Sequence, residues 1–330
     1  MLKTPENILE RKRFGKTDLF ITSICWGCAP LGNIPKDFGY EVSEDRAIEI
    51  LLEAFGSQIN FFDTASSYGE SESRIGRAIK RMGGLPKGCV IATKADRNLE
   101  TNDFSSSQIR ESAEKSIERL GFKPLQLVYL HDPEYHPKYK SDEKQAFEEI
   151  MAPDGPVAEL EKLKREGLIL NIGISGGPIE MLRKFISSGR FDAVITHNRW
   201  NLLWQTADPL IEDARRMNLG IVNAGVYASG ILATGANENT RAAYRVPSPE
   251  IIDRVKNMET ICRKYNIPLA AAALQFSLRD SRITSTAVGI SEPQQSEETL
   301  RLASLPMPDA LWEELKPFAI REGYPERGRQ

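Results

Sequence analysis

Along this chain eight short β-branched or apolar runs alternate with longer helical patterns, and that alternation constrains the fold more than any other feature. The runs are Cys25 to Cys28, Ile59 to Thr64, Cys89 to Lys94, Leu125 to Leu130, Leu168 to Ile174, Ala193 to His197, Gly220 to Gly225 and Thr286 to Ile290. Between them lie Glu44 to Phe55, Ser71 to Arg81, Ser106 to Leu120, Val157 to Glu166, Pro178 to Ser188, Pro209 to Met217, and Pro249 to Arg279 in two pieces. Ser43 and Ser105 stand where N-caps belong, and Gly56, Gly121, Gly167 and Gly189 stand where helices stop. Eight strand-helix units in 330 residues predict one (β/α)8 barrel domain over residues 1–330. A doubly wound sheet is disfavoured, because no strand is followed by G-x-G-x-x-G with an acid about 20 residues on.

Decorations are expected at both ends and in one connection. Arg11 to Phe14 and Phe20 to Ser23 flank G-K-T-D-L as an N-terminal hairpin, and Asp309 to Ala319 adds a helix after the eighth unit. The segment Asp132 to Pro156 is too long for an ordinary strand-to-helix connection and reads as a functional loop.

Charge and composition narrow the function. A formal net charge of −3 with scattered Lys and Arg disfavours nucleic acid and anionic lipid as partners. No run approaches the roughly 18 apolar residues of a membrane span, and the start M-L-K-T-P-E-N is polar, so a cytoplasmic protein is expected. Four cysteines are too few for a disulfide framework. The C-W-G-C of Cys25 to Cys28 has the spacing of a redox pair, but it lies inside an apolar strand that runs into a Gly/Pro turn. Small buried strand residues are the expected reading there, and no metal site is expected.

In a (β/α)8 barrel the chemistry lies at the C-terminal ends of the strands. Asp63 closes I-N-F-F-D, Lys94 closes V-I-A-T-K, His131 follows L-V-Y-L, and Tyr68 lies in the turn after Asp63. These types suit proton transfer coupled to hydride transfer at a carbonyl. Tyr68 is the acid or base, Lys94 lowers the pKa of its phenol, Asp63 keeps Lys94 charged, and His131 orients the substrate oxygen.

With these residues in view, the sequence resembles the aldo-keto reductase superfamily, through D-T-A-S-S-Y-G at Asp63 to Gly69, A-T-K at Ala92 to Lys94 and L-H-D at Leu130 to Asp132. The likeness runs from Arg13 to Glu298. It implies a catalytic tetrad of Asp63, Tyr68, Lys94 and His131 and a nicotinamide dinucleotide bound without a Rossmann domain. It also implies cofactor contacts at Asp63, Ser175, Gly176, His197, the loop residues Gly225, Ser229 and Gly230, and Gly289, Glu292, Gln295 and Glu298 after the last strand. Gly176 and His197 stand where the family usually has Asn and Gln, and Ala224 stands where a nicotinamide-stacking Tyr is common. Gly289 and Gln295 match the positions where NADPH-preferring members carry cations, and Glu292 lies nearby, so NAD is expected over NADP.

W-G-C-A-P-L-G-N and V-N-A-G-V-Y-A-S-G-I-L resemble the branch holding D-threo-aldose, L-galactose and pyridoxal 4-dehydrogenases. The resemblance implies oxidation of an aldose at its anomeric carbon to a lactone. The alternatives are a pyridoxal dehydrogenase, a general aldehyde or ketone reductase, and a cofactor-binding regulatory partner similar to potassium-channel β subunits. The expected partner is a small sugar or aldehyde, and the expected state a monomer or small homo-oligomer. Trp26, Tyr68, His131, Tyr135 and Trp200 are the expected pocket walls.

Overall fold

The computed structural model describes residues 9–237, 240–323 and 325, so the polar start Met1 to Asn7 lies outside the described residues. A two-stranded antiparallel hairpin comes first, β1 (Lys12–Arg13) against β2 (Phe20–Ile21). Eight parallel strands follow: β3 (Ile24–Gly27), β4 (Phe61–Asp63), β5 (Val90–Ala95), β6 (Leu127–His131), β7 (Ile172–Gly176), β8 (Ala193–His197), β9 (Gly220–Ala224) and β10 (Ser285–Gly289). They close in the order β10-β3-β4-β5-β6-β7-β8-β9, with β10 also paired to β9, which is the (β/α)8 barrel expected from the alternation.

The two-residue period of each strand sorts side chains between two apolar regions. Cys25, Phe61, Val90, Ala92, Leu127, Tyr129, Ile195 and Val222 fill the lumen. Ile24, Trp26, Phe62, Ile91, Val128, Ile174, Val194, Ile221 and Val288 face the surrounding helices. Phe14 of the hairpin seals the N-terminal end of the lumen, its ring 5.7 Å from that of Phe61. Gly220 makes room for this plug, since a Cβ there would lie 2.5 Å from the Phe14 ring. Burying such a side chain contributes roughly 1.5–3 kcal/mol and leaves the opposite end of the barrel for chemistry.

The helix signals hold locally. Ser43 and Ser105 accept from the backbone N–H groups of Arg46 and Gln108, capping helices Glu44–Gly56 and Ser106–Leu120, and Gly121 stops the second with φ 75°. Three expectations change. The fifth barrel strand is Ile172–Gly176, not Leu168 to Ile174, because Leu168–Leu170 contributes only an isolated bridge between Ile169 and Leu125. The segment Asp132 to Pro156 is not all loop. It contains a 3-10 turn at Pro133–Tyr135 and a helix at Glu143–Met151, capped by Asp142 and buried through Ala146 and Ile150. The C-terminal helix Asp309–Leu315 gives way to a 3-10 turn at Lys316–Phe318, where Pro317 has no N–H to continue it.

Candidate active site

The adjacent strands β4, β5 and β6 bring the four expected catalytic side chains to one mouth. Lys94 is the deepest, with its side chain 1% exposed, and its ammonium donates to Asp63 Oδ2 at 2.6 Å and to the Thr64 carbonyl at 2.7 Å. The Lys94 Nζ lies 4.5 Å from the centroid of the Tyr68 ring, which meets the His131 ring edge-on at 5.8 Å. Burial alone would lower the pKa of Lys94, but Asp63 and Tyr68 outweigh it and the ammonium is held charged. For Tyr68 burial is the larger influence and raises the phenol above its ordinary range, while Lys94 opposes it. Lys94 therefore acts in the expected direction without bringing the phenol down. Tyr68 holds its proton at neutral pH.

The turn that carries Tyr68 is held by main chain. A Cβ on Gly32 would lie 2.0 Å from the Tyr68 carbonyl oxygen, and one on Gly69 would lie 2.3 Å from the Gly32 carbonyl oxygen. The Gly32 carbonyl accepts from Glu70 N at 3.0 Å, and Gly69 has φ 49°. Only glycines permit this approach.

His131 is buried at the end of β6, opposite Ser175 in register. Its Nδ1 lies 2.6 Å from Asp96 Oδ1, and its Nε2 lies 3.7 Å from Asp132 Oδ1. Burial would lower its pKa, but Asp132 and Asp96 outweigh burial and raise it above 6.5.

The other expected contacts occupy the remaining rim. Ser175 is buried at the end of β7, and His197 at the end of β8 meets the Tyr244 ring at 6.4 Å. After β9, Gly225 has φ 71°, while Ala228, Ser229 and Gly230 adopt φ 50°, 61° and 101° in succession. Ser229 Oγ accepts from Tyr244 N at 2.8 Å. At the end of β10, exposed Gly289 leads to Glu292, whose carboxylate pairs with Arg46 at 2.5 Å. Gln295 folds back so that its Oε1 accepts from Ser291 N and Glu292 N, and Glu298 makes a two-point ion pair with Arg301.

The strand alternation sends some expected residues elsewhere. Trp26 is fully buried in the layer between barrel and helices, and Trp200 packs there against Phe276 at 5.5 Å, so neither reaches the lumen. Gly176 faces the same layer, where a Cβ would meet Met181 and Glu134 at 2.9 Å. Tyr135 stays near the mouth beneath the Arg97 guanidinium, 4.3 Å from its ring. Cys25 and Cys28 are buried thiols, and burial raises the pKa of both, as inert strand residues require.

Sequence reasoning missed Asp96, Asp132, Glu134 and Tyr244. Glu134 is buried and accepts from Gly177 N at 2.7 Å. Burial and the neighbouring Asp132 push its pKa up to about 8. The signal for Asp132 and Glu134 was the acidic H-D-P-E-Y run directly after a strand end. Nothing comparable marks Tyr244, which arrives from a distant loop, yet its phenol is close enough to act electrostatically on Tyr68.

The family model for the aldo/keto reductase family matches residues 23–320. This chain belongs to the aldo/keto reductase family. Among aldo/keto reductases it is similar to a D-threo-aldose 1-dehydrogenase from a Pseudomonas species, 32% identical over 90% of this chain and 94% of that one. The L-galactose dehydrogenase of Arabidopsis thaliana is 29% identical over 88% and 87% of the two chains. The pyridoxal 4-dehydrogenase of Microbacterium luteolum is 27% identical over 93% and 96%. The holo form of a Bacillus halodurans aldo-keto reductase superposes with a TM-score of 0.74 at 21% identity, covering 97% of this chain and 99% of that one.

Aldo/keto reductases use nicotinamide cofactors, and the mouth fits one. Asp63 Oδ1 is buried with no hydrogen-bond partner among the described residues, an acceptor left over for a hydroxyl-bearing group at this rim.

Proposed function

We propose that this aldo/keto reductase oxidises an aldose at its anomeric carbon to the lactone, with NAD preferred over NADP. The observation that carries the reading is the buried Lys94–Asp63 pair at 2.6 Å placed beneath Tyr68, in a chain similar along nearly its whole length to a sugar 1-dehydrogenase. Bound nicotinamide supplies the hydride acceptor for oxidation and the hydride donor for the reverse.

For oxidation Tyr68 first gives up its own proton to solvent; the anomeric C–H bond then breaks with its electron pair leaving as hydride, the O–H proton passes to the Tyr68 phenolate, and the C=O bond forms. Because burial keeps the Tyr68 phenol protonated, the same residue in the reverse direction is ready as the acid. Lys94 stabilises the phenolate when it forms, and His131 donates to the reacting oxygen. Asp63 Oδ1, Ser175 and His197 would hold the nicotinamide end of the cofactor, and the backbone of Gly225 to Gly230 would approach its pyrophosphate.

Glu292 supports NAD in a specific way. Arg46 is the nearby cation that a 2′-phosphate would use, and Glu292 already holds it at 2.5 Å. A phosphate would have to displace a carboxylate that also repels it, whereas a free ribose diol would not. The test is a panel of aldoses, pyridoxal and model aldehydes, run with NAD and NADP while reduced-cofactor absorbance is followed. Lactone formation from an aldose with NAD is the expected result. Turnover of pyridoxal alone, or none at all despite tight cofactor binding, overturns it.

A further inference from the structure

The turn Asp63 to Gly69 does more than carry Asp63 and Tyr68. Its two serines grip a second carboxylate. Ser66 Oγ donates to Asp96 Oδ2 at 2.7 Å and Ser67 N donates to the same oxygen at 3.0 Å. From the other side, Ser112 Oγ accepts from Asp96 N at 3.0 Å and Gln108 Nε2 donates to the Asp96 carbonyl at 3.2 Å, both from helix Ser106–Leu120. Asp96 itself is 4% exposed, and its remaining oxygen, Oδ1, lies 2.6 Å from His131 Nδ1.

We propose that Asp96 is a positioning residue for turnover, clamped by Ser66 and Ser67 so that it takes the Nδ1–H of His131 and turns Nε2 toward the reacting oxygen. A carboxylate at Nδ1 fixes the ring orientation and makes Nε2 the nitrogen that meets the substrate. Ser67 Oγ, 3.4 Å from Nδ1, closes the same side.

The charge follows from the surroundings. The groups facing His131 are Asp96 beyond β5, Asp132 beyond β6, Lys94 on β5 and Tyr68 beyond β4. The two carboxylates outweigh Lys94 and burial, so the imidazolium is favoured. Burial would raise the pKa of Asp96, but the charge of His131 and the hydrogen bonds from His131, Ser66 and Ser67 lower it instead. The ion pair is therefore mutual.

Asp96 also reaches outside the mouth. A cavity of about 330 Å3 on the flank of the barrel is lined by Ser66, Ser67, Asp96, Gln108, Ser112 and Lys115, among others. The carboxylate of the dyad thus borders a polar cavity that His131 itself does not line.

The role in turnover rests on the proposed function, but the charge of His131 does not, and the experiment separates them. The chain has only three histidines, so ring signals from selectively labelled histidine can be followed through a pH titration. His131→Asn identifies its resonance. In the wild type His131 titrates above 6.5. In Asp96→Asn it titrates lower by roughly 1 unit or more, as expected for loss of an adjacent opposite charge. The alkaline limb of model-aldehyde reduction, where Tyr68 and His131 both act with their protons, moves down with it.

A wild-type His131 that titrates at or below 6.5 overturns the proposal, even where Asp96→Asn fails to fold. An unmoved titration and unmoved limb in a folded Asp96→Asn overturn it as well. If His131 titrates as stated and no substrate turns over, the clamp stands and the oxidoreductase reading falls.

Discussion

The Lys94–Asp63 pair lends itself to a quantitative perturbation, Asp63→Asn. The substitution keeps the shape of the side chain and removes its charge. What remains is an ammonium with a side chain 1% exposed, whose charged partner is gone and whose other hydrogen bond, to the Thr64 carbonyl at 2.7 Å, is neutral. Breaking a buried ion pair from one side typically costs about 3–5 kcal/mol. A second route gives a ceiling. The folded lysine escapes the penalty by losing its proton, and from an unfolded pKa near 10.4 that costs roughly 1.36 kcal/mol per unit, or about 4.6 kcal/mol at pH 7. The two figures agree on about 3–5 kcal/mol at pH 7.

The sign of the pH dependence then follows. In the wild type the Lys94 pKa is raised, so its contribution is complete below the unfolded value and is lost only as pH climbs through the folded one. In Asp63→Asn burial acts alone and depresses it. The unfolded state then binds the extra proton, and stability rises with pH by up to about 1.4 kcal/mol per unit, leaving a deficit of about 1.9 kcal/mol at pH 9. All four tryptophans are buried, so urea unfolding followed by their fluorescence at pH 7, 8 and 9 reads the effect. Asp63→Asn combined with Lys94→Met should regain most of the stability without regaining activity. A single variant as stable as wild type at pH 7, with a flat pH response, would refute the buried charge pair.

Other perturbations separate the remaining roles. Tyr68→Phe should lose about 10²–10⁴-fold in turnover with cofactor affinity kept, as measured by steady-state kinetics and fluorescence titration. Near wild-type rates would sink the assignment of Tyr68. Glu292→Ala should raise affinity for NADP relative to NAD by freeing Arg46, and an unchanged affinity ratio counts against the cofactor preference. Glu134 has a folded pKa of about 8 against an ordinary 4.5, so the folded state binds more protons in that window and stability declines as pH rises through it. Glu134→Gln should lessen the stability difference between pH 5 and pH 8 in thermal unfolding, and a difference as large as in wild type would refute the assignment.

The barrel was legible because strand and helix periods are local properties. Apolar runs ending at Asp63, Lys94 and His131 announced three adjacent strands, and the polar residues at their ends announced the mouth. What stayed hidden depended on direction and distance. Trp26 and Trp200 read as pocket walls because an aromatic near a strand end has two faces to choose between; register assigned Trp26 to the helix layer, and packing against Phe276 placed Trp200 there. Helix Glu143–Met151 was hidden inside a polar connection because the helix itself buries only Ala146 and Ile150. Asp96, two places past Lys94, went unnoticed because its partners Ser66 and Ser67 lie about 30 residues earlier in the chain. The phenol of Tyr68 was expected to fall because proximity to Lys94 is easy to infer, while the extent of burial that opposes it is not.

The contact of Gly32 with the Tyr68 carbonyl joins the first barrel connection to the second through main-chain atoms alone. Fastened that way, the proton-handling turn gains its rigidity from two glycines and a hydrogen bond. The chain between Asp132 and Pro156 takes no part in that fastening, and its helix packs against the neighbouring helix Pro156–Arg165. The two are fastened independently, although Asp132 still acts electrostatically on Tyr68. A lineage, or an engineer, can exchange the segment beside His131 as a cassette and sample new substrates on an unchanged acid-base turn, so new specificities need not begin by rebuilding the catalyst.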